Sequence, residues 1–494
     1  MPPCFLENIT ISSGGGIFIV GWIDDSSSRL ERVVVKFANA GSMAFEASNL
    51  ARIRRQDVEA ALSSGRHHPY GFWGFFSTDL MLNSQDCEIT LHLANGASQA
   101  FALQARVIED SEIRDVSLSY LAGAEYFGNR QIQAIISIER SVGREIINFN
   151  KKLSQSFCSN PYVERFSTSN RKLKGSIIVC LYGKAEFLFL QNSLFSGLPG
   201  IEDYEFIYVS NSPELSEQLL REATISKSVY GMDQTLVLLP GNAGFGAANN
   251  VAARYAHSNR LLIVNPDVFP RDRDWAKKHT DLVLSLPANQ TALFGVPLYY
   301  DDGSLMHGGM YFESETMPSL DNKQLSRRTM LRVEHYGKGA PFDFVRFHTA
   351  RPVPAVTGAF MSMNRHWYER LGGFTEDFVF GHYEDADLCL KSLALGVPAW
   401  MHDIKLWHLE GKGSTRMPVH EGGSLVNRWL FANNWEELIQ AKLCGPNPQL
   451  APLLPSEQPG NTNDAVPVAD LNKLPAEKSR RKRTGSTSPN ESAV

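Results

Sequence analysis

From Lys172 onward, short apolar runs alternate with segments of helical periodicity. The runs are "GSIIVCLYG", "YEFIYVSNS", "QTLVLLPG" and "RLLIVNPDV", and amphipathic segments such as "SEQLLREATI" lie between them. This alternation is typical of a parallel sheet that is covered by helices on both faces. In such sheets, ligands bind beyond the carboxyl ends of the strands. The residues that follow each strand are therefore the first candidates for a functional site.

One of these strand ends carries a carboxylate. The stretch "LLIVNPDVFP", residues 261–270, runs from four apolar residues directly into Asn265-Pro266-Asp267. A solvated turn would account for Asp267, but its position at the ligand edge of a parallel sheet favours a metal or phosphate site. Pro266 fixes its own φ and so stiffens the exit from the strand.

Three further groups can join Asp267 at that edge. The segment 241–250, "GNAGFGAANN", places glycines between a strand and a helix, where backbone amides can approach an anion. The segment 384–387, "EDAD", places carboxylates at a helix N-terminus, either as caps or with one of them as a base. His408 and Glu410 follow a short apolar segment, and an imidazole can join a carboxylate on a divalent ion. A lone GxG remains a weak match to a dinucleotide-binding fingerprint.

The rest of the chain divides into three parts. Residues 1–110 contain short runs rich in β-branched and aromatic residues, which predict a small antiparallel β-sandwich. Residues 111–172 predict a helical linker, with apolar positions near helical period over 130–157. The α/β part occupies 173–440. Residues 441–494 are rich in Pro, Asn and Gly and predict a disordered tail, whose basic "KSRRKR" is either solvated or in contact with an anionic membrane surface.

An aromatic cluster, "HHPYGFWGFF" at 67–76, has two interpretations. It forms either a surface on which sugar rings stack or part of the sandwich core and an adjoining loop. His67 and His68 could bind a metal, but a pair in an exposed loop is the favoured interpretation.

Composition narrows the class of protein. The net charge is −5, which provides no basic field for nucleic acid. Six cysteines lie far apart without a CxxC pair, which fits a reducing cytosol. The stretch "MPPCFLENIT" lacks the features of a secretion signal, and no run of about 18 apolar residues exists. We therefore expect a cytoplasmic protein without a membrane span, with at most a peripheral membrane contact through the tail.

Taken in order and spacing, four segments resemble the family 2 glycosyltransferases with the GT-A fold. They are "GSIIVCLYG", "NAGFGAANNVAARYAHSNRLLIVNPDV", "TGAFMSMNRHWYERLGGFTEDFVFGHYEDADLCLKSLALG" and "WHLEGKGS", within residues 173–415. The segment 301–312, "DDGSLMHGGMYF", further resembles a rhamnosyltransferase-like bacterial subset that makes cell-surface polysaccharide. The resemblance implies a GT-A sheet with helices on both faces, preceded here by the β-rich domain.

The resemblance also implies roles for particular residues. Asn265-Pro266-Asp267 matches the DxD-type motif, so Asp267 would hold Mg²⁺ or Mn²⁺ on the donor diphosphate, and His408 matches a second metal or diphosphate contact. Asp385 matches the base that accepts the acceptor's hydroxyl proton, with Glu384 as the less favoured neighbour. The donor-side matches are Tyr182, Ser210, Asn211, Gly244, Asn249, Asn265 and Asp267. The acceptor-side matches are Thr357, Gly358, Ala359, Gly373 and Phe374.

The chain departs from the family pattern at two strand ends. Ser210, with Asn211 beside it, stands where the family often has an Asp that contacts the nucleoside. Either Ser210 or Asn211 could form a hydrogen bond with uracil, guanine or ribose. Leu181-Tyr182-Gly183 replaces the usual Pro-Thr-Tyr ending of the first strand, and Tyr182 could stack on the base.

The reaction implied is a single displacement with inversion, in which a hexosyl or deoxyhexosyl group passes from a nucleotide-diphosphate donor to an acceptor hydroxyl. The acceptor would be a glycan, a lipid-linked glycan or a protein. The alternative is a non-catalytic glycan- or nucleotide-sugar-binding protein, because the first Asp of the metal motif is missing.

Overall fold

The structure is a computed structural model, and it describes residues 2–38, 41–62, 68–82, 84–166, 172–286, 293–321, 324–342, 344, 349–413, 417–448 and 450. Side chains of 319–321 and 324–327 are not described. His67 and nearly all of the predicted disordered tail lie outside the described residues, so these two predictions are not tested.

Residues 1–110 form two β-sheets. Their strands are β1 (Cys4–Ser12), β2 (Gly16–Ile23), β3 (Leu30–Phe37), β4 (Gly41–Glu46), β5 (Ala51–Ile53), β6 (Gly71–Ser77), β7 (Asp86–Leu93), β8 (Ser98–Gln104) and β9 (Arg106–Ile108), with one short helix, α1 (Gln56–Ala61). The sheet orders are β5-β6-β2-β1-β9 and β4-β3-β7-β8. All pairs are antiparallel except β1 with β9, which is parallel. The β-rich prediction for this part therefore agrees with the structure.

The aromatic cluster builds the interior of this β-rich part. On β6, the side chains of Phe72, Trp73, Phe75 and Phe76 are at most 3% exposed. Because these rings are covered, they cannot stack on a sugar, and the core interpretation is confirmed. His68 lies at the margin of the cluster, where its Nε2 is 2.7 Å from Oδ1 of Asp25. Arg52 makes an ion pair with the same carboxylate.

Three helices follow the β-rich part, namely α2 (Asp110–Gly123), α3 (Arg130–Ser137) and α4 (Gly143–Ser159). The single connecting helix predicted over 130–157 is interrupted by a π-helical turn at Ile138–Val142. Such a turn inserts one extra residue into the helical ladder, and apolar periodicity alone does not reveal it. α2 fully buries Ile113, Leu118 and Leu121.

The elements after α4 alternate between strand and helix from Gly175 to Val264, as the apolar runs predict, and are mostly strands from Val268 to Asn364. They are β10 (Tyr162–Arg165), β11 (Gly175–Leu181), α5 (Glu186–Phe195), β12 (Tyr204–Ser210), α6 (Ser216–Tyr230), β13 (Gln234–Leu238), α7 (Phe245–Ala253), β14 (Arg260–Val264), β15 (Val268–Pro270), α8 (Trp275–Ser285), β16 (Leu293–Gly295), β17 (Leu298–Tyr299), β18 (Leu305–His307), β19 (Met310–Asp321), β20 (Gln324–His335), β21 (Arg351–Val353), β22 (Phe360–Asn364), α9 (Arg365–Arg370), α10 (Glu384–Ala394), β23 (Ala399–Met401), β24 (Leu406–His408) and α11 (Pro418–Leu438).

A nine-stranded sheet lies at the centre, in the order β10-β13-β12-β11-β14-β22-β16-β23-β21. The four strands β13, β12, β11 and β14 are parallel, and β22 runs antiparallel to β14. Every residue of these four parallel strands is buried. Alternate side chains point to opposite faces, so Ile177 and Val179 pack with α5 and α6 while Ile178 and Cys180 pack with α7. The chain is thus a mixed α/β protein with a covered parallel centre.

Two smaller β-structures flank this sheet. A four-stranded sheet has the order β15-β24-β17-β18, and β19 with β20 forms a long hairpin. In the antiparallel pair of β15 and β24, Val268 lies opposite His408. This register brings the end of the chain's α/β part back to the Asn265–Asp267 turn.

The described residues before position 454 belong to one compact unit. None of the helices in this part of the chain is long and apolar enough to cross a membrane.

α11 and α2 approach each other closely at a glycine. A Cβ added at Gly422 would overlap the backbone carbonyl of Leu118, whereas a Cβ at Gly123 would meet no heavy atom within 4 Å. We predict that Gly422→Ala lowers the free energy of unfolding by about 1–3 kcal/mol, because the two helices must separate. Gly123→Ala is the matched control and should be neutral or slightly stabilising, since both positions are helical. Urea unfolding measures both, and equal midpoints would contradict this packing.

Candidate active site

The carboxyl ends of the four parallel strands gather the donor-side residues at one edge of the sheet. Tyr182 follows β11, Asn211 follows β12, Gly244 follows β13, and Asn265 leads into Asp267 after β14. Parallel strands in one sheet share this edge, which is where ligands bind in open α/β folds. The strand-end prediction therefore places these residues on the same side of the molecule.

Asp267 is buried and faces His408. Its Oδ1 lies 3.2 Å from Nε2 of His408, and its Oδ2 accepts a hydrogen bond of 2.9 Å from the amide of Gly413. The amide of Leu409 donates to the Asp267 carbonyl at 3.0 Å. The pairing of β15 with β24 thus brings the two predicted metal ligands together, although they are far apart in sequence.

A glutamine from α5 holds the turn that carries Asp267. Nε2 of Gln191, which is fully buried, donates to the carbonyl of Asn265 at 2.9 Å and lies 3.3 Å from that of Val268. The sequence analysis did not select Gln191, because its role arises only when α5 lies across the turn.

Asp267 and His408 fit a divalent ion that takes part of its ligands from a substrate. Two neighbouring ligands about 2.1 Å from an octahedral ion lie about 3 Å apart, close to the 3.2 Å between Oδ1 and Nε2. Among the described residues, no group of three or more His, Cys, Asp or Glu side chains could hold a metal by itself. A Mg²⁺-type ion commonly uses one or two protein carboxylates together with substrate phosphates. The protein would therefore supply two ligands, and a diphosphate would supply others.

The charge of Asp267 suits this role. Burial raises the pKa of the Asp267 carboxyl, but the contacts with His408 and the Gly413 amide outweigh it, and the pKa is lowered overall. The carboxylate is thus ionised at neutral pH, as a metal ligand must be. Nδ1 of His408 is buried without a hydrogen-bond partner.

Asp385, the predicted base, lies at the start of α10 against the tripeptide Thr357–Ala359. Its Oδ2 accepts a hydrogen bond of 2.9 Å from the amide of Gly358, and its Oδ1 accepts one of 2.8 Å from the amide of Ala386. The side chain is only partly buried. One predicted acceptor-side residue therefore orients the predicted base directly.

The same tripeptide contacts the predicted metal motif. The amide of Asn265 donates to the carbonyl of Ala359 at 3.0 Å. The Oγ1 of Thr357 accepts from the amide of Ala359 at 3.3 Å, which closes the tripeptide on itself. Asn265 and Asp385 are therefore each hydrogen-bonded directly to this tripeptide, Asn265 through Ala359 and Asp385 through Gly358.

The backbone immediately before Glu384 is strained. Phe380, His382 and Tyr383 have φ values of 58°, 84° and 76°, and no other non-glycine residue in the described ranges has a positive φ. Each such conformation costs about 1–3 kcal/mol and persists only where the surroundings hold it. Strain of this kind is concentrated at functional sites, which singles out this loop.

Asn427 of α11 holds the strained loop. Its side chain is fully buried, and Oδ1 accepts from the amide of Val379 at 2.7 Å. Its Nδ2 donates to the carbonyls of Val379, Gly381 and His382 at 2.8, 2.7 and 3.2 Å. Both the oxygen and the nitrogen of this amide thus hold the loop.

Arg114 of α2 reinforces the same loop from the other side. Its guanidinium lies 4.4 Å from the ring centroid of Phe380 and donates to the carbonyl of Asn242 at 3.0 Å. Phe245 also donates its amide to the Phe380 carbonyl. Arg114 and Asn427 escaped the sequence analysis because their partners come from distant elements.

Glu384 and Asp387 differ from Asp385 in environment. Glu384 is buried, and its Oε2 has no partner. Burial, with the charges of Asp385 and Asp387 beside it, raises the pKa of Glu384 well above its usual range, which favours the protonated form of this carboxyl. Asp387 accepts from Thr375 at 2.6 Å and from the indole of Trp435 at 2.8 Å. Asp385 is therefore the carboxylate of this segment that is open to an acceptor.

The glycine-rich loop is braced from within by Asn211. Its Oδ1 accepts from the amide of Ala243 at 3.1 Å, and its Nδ2 donates to the carbonyl of Gly244 at 3.2 Å. A Cβ at Gly244 would lie 3.0 Å from the Phe380 carbonyl oxygen, and φ there is 89°. A glycine is needed at this approach.

Two other predicted donor-side residues also point inward. Ser210 is buried, and its hydroxyl accepts from the amide of Ser212 at 3.2 Å. Asn249 is fully buried in α7, and its Nδ2 donates to the Phe245 carbonyl at 2.8 Å. Their placement supports the shape of the edge, while their predicted contact with a donor stays a prediction.

Tyr182 is half-buried at the end of β11. Its ring meets the ring of His420 edge-on, with 5.5 Å between centroids, and His420 also lies 5.3 Å from the ring of Phe380. Burial raises the pKa of the Tyr182 hydroxyl. The partly open ring is suited to stacking, as predicted for a nucleotide base.

Gly373 and Phe374 form the turn after α9. Gly373 has a φ of 66°, and Phe374 is buried with its ring 5.6 Å from that of Phe245. Asn250 exchanges two hydrogen bonds of 2.9 Å with the backbone of Phe374. These two predicted acceptor-side residues thus pack against α7, which carries Phe245 and Asn250.

Two histidines that were not selected from the sequence, His307 and His335, lie beside the tripeptide Thr357–Ala359. Nε2 of His307 is 3.5 Å from the amide nitrogen of Thr357. Burial lowers the pKa of His335. Its Nδ1 is 3.0 Å from Nδ1 of His307. Histidines at strand ends carry no local signal, and only the fold of β18 and β20 brings this pair to the site.

Comparisons with known proteins give limited similarity. No protein-family model matches this chain. The uncharacterized protein y4gI of Sinorhizobium fredii (strain NBRC 101917 / NGR234) is 27% identical over 167 residues, which cover 34% of this chain and 17% of that protein.

Two solved structures have a low structural similarity to this chain. The mannosyltransferase PcManGT from Pyrobaculum calidifontis, in complex with GDP-Man and Mn²⁺, has a TM-score of 0.33 and 16% identity over 60% of this chain and 69% of that chain. GalNAc-T7 with UDP, GalNAc and Mn²⁺ has a TM-score of 0.34 and 12% identity over 54% of this chain and 49% of that chain. At TM-scores below 0.5, neither similarity assigns an activity to this chain.

We predict that Asn427→Asp releases the strained loop. The substitution replaces two N–H donors by a carboxylate that faces three carbonyls, and it should destabilise the fold by about 1–3 kcal/mol. Asn433→Asp, at an exposed position of the same helix, is the matched control. Hydrogen–deuterium exchange should accelerate at residues 379–383 in the first variant and not in the second. Unchanged protection in both variants would show that Asn427 does not hold the loop.

We predict a pH-dependent stabilisation for Glu384→Gln. Because the folded-state pKa is raised, the stability that neutral Glu384 contributes is full below its ordinary value of 4.5 and declines as pH rises towards the folded-state value. Glutamine does not titrate, so the variant should gain stability relative to wild type between about pH 4 and about pH 8. Unfolding free energies at both pH values measure this, and a difference that does not change with pH would refute a neutral Glu384.

Proposed function

We propose that the chain is a metal-dependent glycosyltransferase that moves a sugar from a nucleotide-diphosphate donor to a hydroxyl of a glycan, lipid-linked or protein acceptor. The observation that supports this best is the tripeptide Thr357–Ala359, which is hydrogen-bonded to Asn265 on one side and to Asp385 on the other. A metal-ligand pair and a general base beside one loop are the groups that a displacement next to a diphosphate requires.

The donor would lie across the carboxyl edge of the sheet. Its diphosphate would contact Asp267 and His408, and its base would stack on Tyr182. A divalent ion bound between the diphosphate and this pair would offset the charge of the leaving group. The Gly244 loop brings backbone close to the phosphates without a side chain in between.

Asp385 would accept the proton of the acceptor hydroxyl. As the hydroxyl oxygen bonds to the anomeric carbon, the bond from that carbon to the diphosphate oxygen breaks, and its electron pair leaves with the nucleoside diphosphate. Attack from the opposite side inverts the anomeric centre. The diphosphate is a good leaving group, so no second acid is needed, in contrast to hydrolysis by paired carboxylates.

The Gly358 amide supports this role because it fixes Oδ2 of Asp385 at 2.9 Å. The raised pKa of Glu384 favours its protonated form, which leaves Asp385 as the base although the two residues are adjacent.

We also propose the GT-A arrangement and membership of family 2 for residues 173–440, preceded by a β-rich domain at 1–110 and a linker at 111–172. The order β13-β12-β11-β14, followed by antiparallel β22, supports the first of these. The proposed role in cell-surface polysaccharide synthesis rests on the resemblance of residues 301–312, and the proposed cytoplasmic location rests on the six widely spaced cysteines.

One observation favours a second candidate, a non-catalytic glycan- or nucleotide-sugar-binding protein. Both oxygens of Asp267 already have partners within the protein, His408 and the Gly413 amide. Such a site could retain a donor without turning it over.

We predict that Asp385→Asn lowers transfer or donor hydrolysis by about 10²–10⁴-fold, because the general base is lost. Donor binding should persist, and Glu384→Gln, the adjacent carboxyl, should retain activity. Nucleotide release from UDP-, GDP- and dTDP-sugars with Mn²⁺ measures turnover, and calorimetry measures binding. If wild type binds a donor but releases no nucleotide with any of them, the second candidate function holds instead.

A further inference from the structure

A cavity of about 890 Å³ lies between the β-rich part and the outer face of α2. Its volume is within the roughly 300–1,000 Å³ typical of ligand sites. Residues from the segment after β5 form one wall, and residues from α2 form the other. The lining includes Arg55, Gln56, Asp115, Val116, Ser119 and Tyr120. The proposed transfer chemistry uses none of these side chains.

Both arginines that line this cavity are already paired. Arg55 makes ion pairs with Glu7 and Asp57. Arg54 makes one with Glu59 at 3.0 Å, and Asp115 is 2.9 Å from Nε of Arg114. Neither lining arginine is left to neutralise a phosphate, so a nucleotide or other anion is a poor match. The paired carboxylates and guanidinium groups still present fixed acceptors and donors for hydroxyl groups.

The α2 wall combines flat apolar surface with space. Tyr120 is wedged against Phe18 and Trp73, with 5.4 Å between ring centroids in each case. Val116 lies one helical turn before Tyr120, and a Cβ at Gly123 would meet no heavy atom within 4 Å. A rigid aromatic side chain beside planar polar groups matches the alternating CH faces and hydroxyls of a neutral sugar.

The cavity is physically connected to the candidate active site. Asp115 on its wall bonds to Arg114, and Arg114 bonds to the Asn242 carbonyl and stacks on Phe380. A molecule bound against α2 would thus be two contacts away from the strained loop before the candidate base.

We propose that this cavity binds a neutral oligosaccharide, as a distal subsite for the glycan acceptor. The assignment to an acceptor rests on the proposed function, whereas saccharide binding by the cavity does not. The β-rich part would then contribute a wall of the acceptor site through the segment that follows β5.

Ser119→Trp tests the proposal, because an indole in the middle of the α2 wall fills the cavity. Ser228→Trp on the exposed face of α6 is the matched control. Gln56→Ala, at an exposed position, removes a polar lining group without adding volume, so a folding defect of the first variant does not leave the test undecided. The probe is a printed array of neutral and acidic oligosaccharides, and donor hydrolysis without acceptor is measured in parallel.

We expect wild type and Ser228→Trp to bind neutral spots. Ser119→Trp should lose this signal at least tenfold, and Gln56→Ala severalfold, while both keep donor hydrolysis. The proposal is overturned if wild type binds only acidic spots or no spot at all. It is also overturned if Ser119→Trp binds neutral spots as well as wild type does. If wild type hydrolyses the donor in any of those cases, the proposed transferase function still stands. If wild type binds neutral oligosaccharides but does not hydrolyse the donor, only the assignment of the cavity to an acceptor is overturned.

Discussion

Two hydrogen bonds on the tripeptide Thr357–Ala359 hold the candidate site together. The Ala359 carbonyl accepts from Asn265, and the Gly358 amide donates to Asp385. β22 begins directly after the tripeptide and pairs with β14, with Phe360 opposite Val264. The central sheet therefore fixes the tripeptide, and the tripeptide fixes the metal motif relative to the base. Preorganisation of this kind removes the need to assemble the site when substrate binds.

The second requirement of the site is a loop that would not hold its shape alone. Three residues of this loop, Phe380, His382 and Tyr383, adopt left-handed backbone conformations. Asn427 of α11 and Arg114 of α2 make contacts with the loop that offset the strain. A helix at the end of the α/β part and a helix before it thus act on the base through one loop. Burial differs between the two adjacent acids: it raises the pKa of Glu384 and so favours its protonated form, whereas Asp385 is only partly buried.

Much of the centre of the fold could be predicted because its signals are local. Fully buried strands read as continuous apolar runs, and their order along the chain places Asp267 at the ligand edge. Other features of the site depend on contacts between elements that are distant in the chain, and no local sequence pattern indicates them. Gln191, His335 and Asn427 are ordinary residues of helices or strand ends until the fold brings their partners to them. The aromatic segment 67–76 remained ambiguous because buried and exposed rings look alike in a sequence.

The most direct test of this account is anomalous diffraction at the manganese edge, on crystals grown with Mn²⁺ and a nucleoside diphosphate. We predict one strong peak bonded to Oδ1 of Asp267, Nε2 of His408 and the diphosphate, on the side of the sheet where Tyr182 and Asp385 lie. A peak elsewhere, or an occupied nucleotide site in which Asp267 still bonds only to His408 and Gly413, would contradict the central claim that this pair is a metal site.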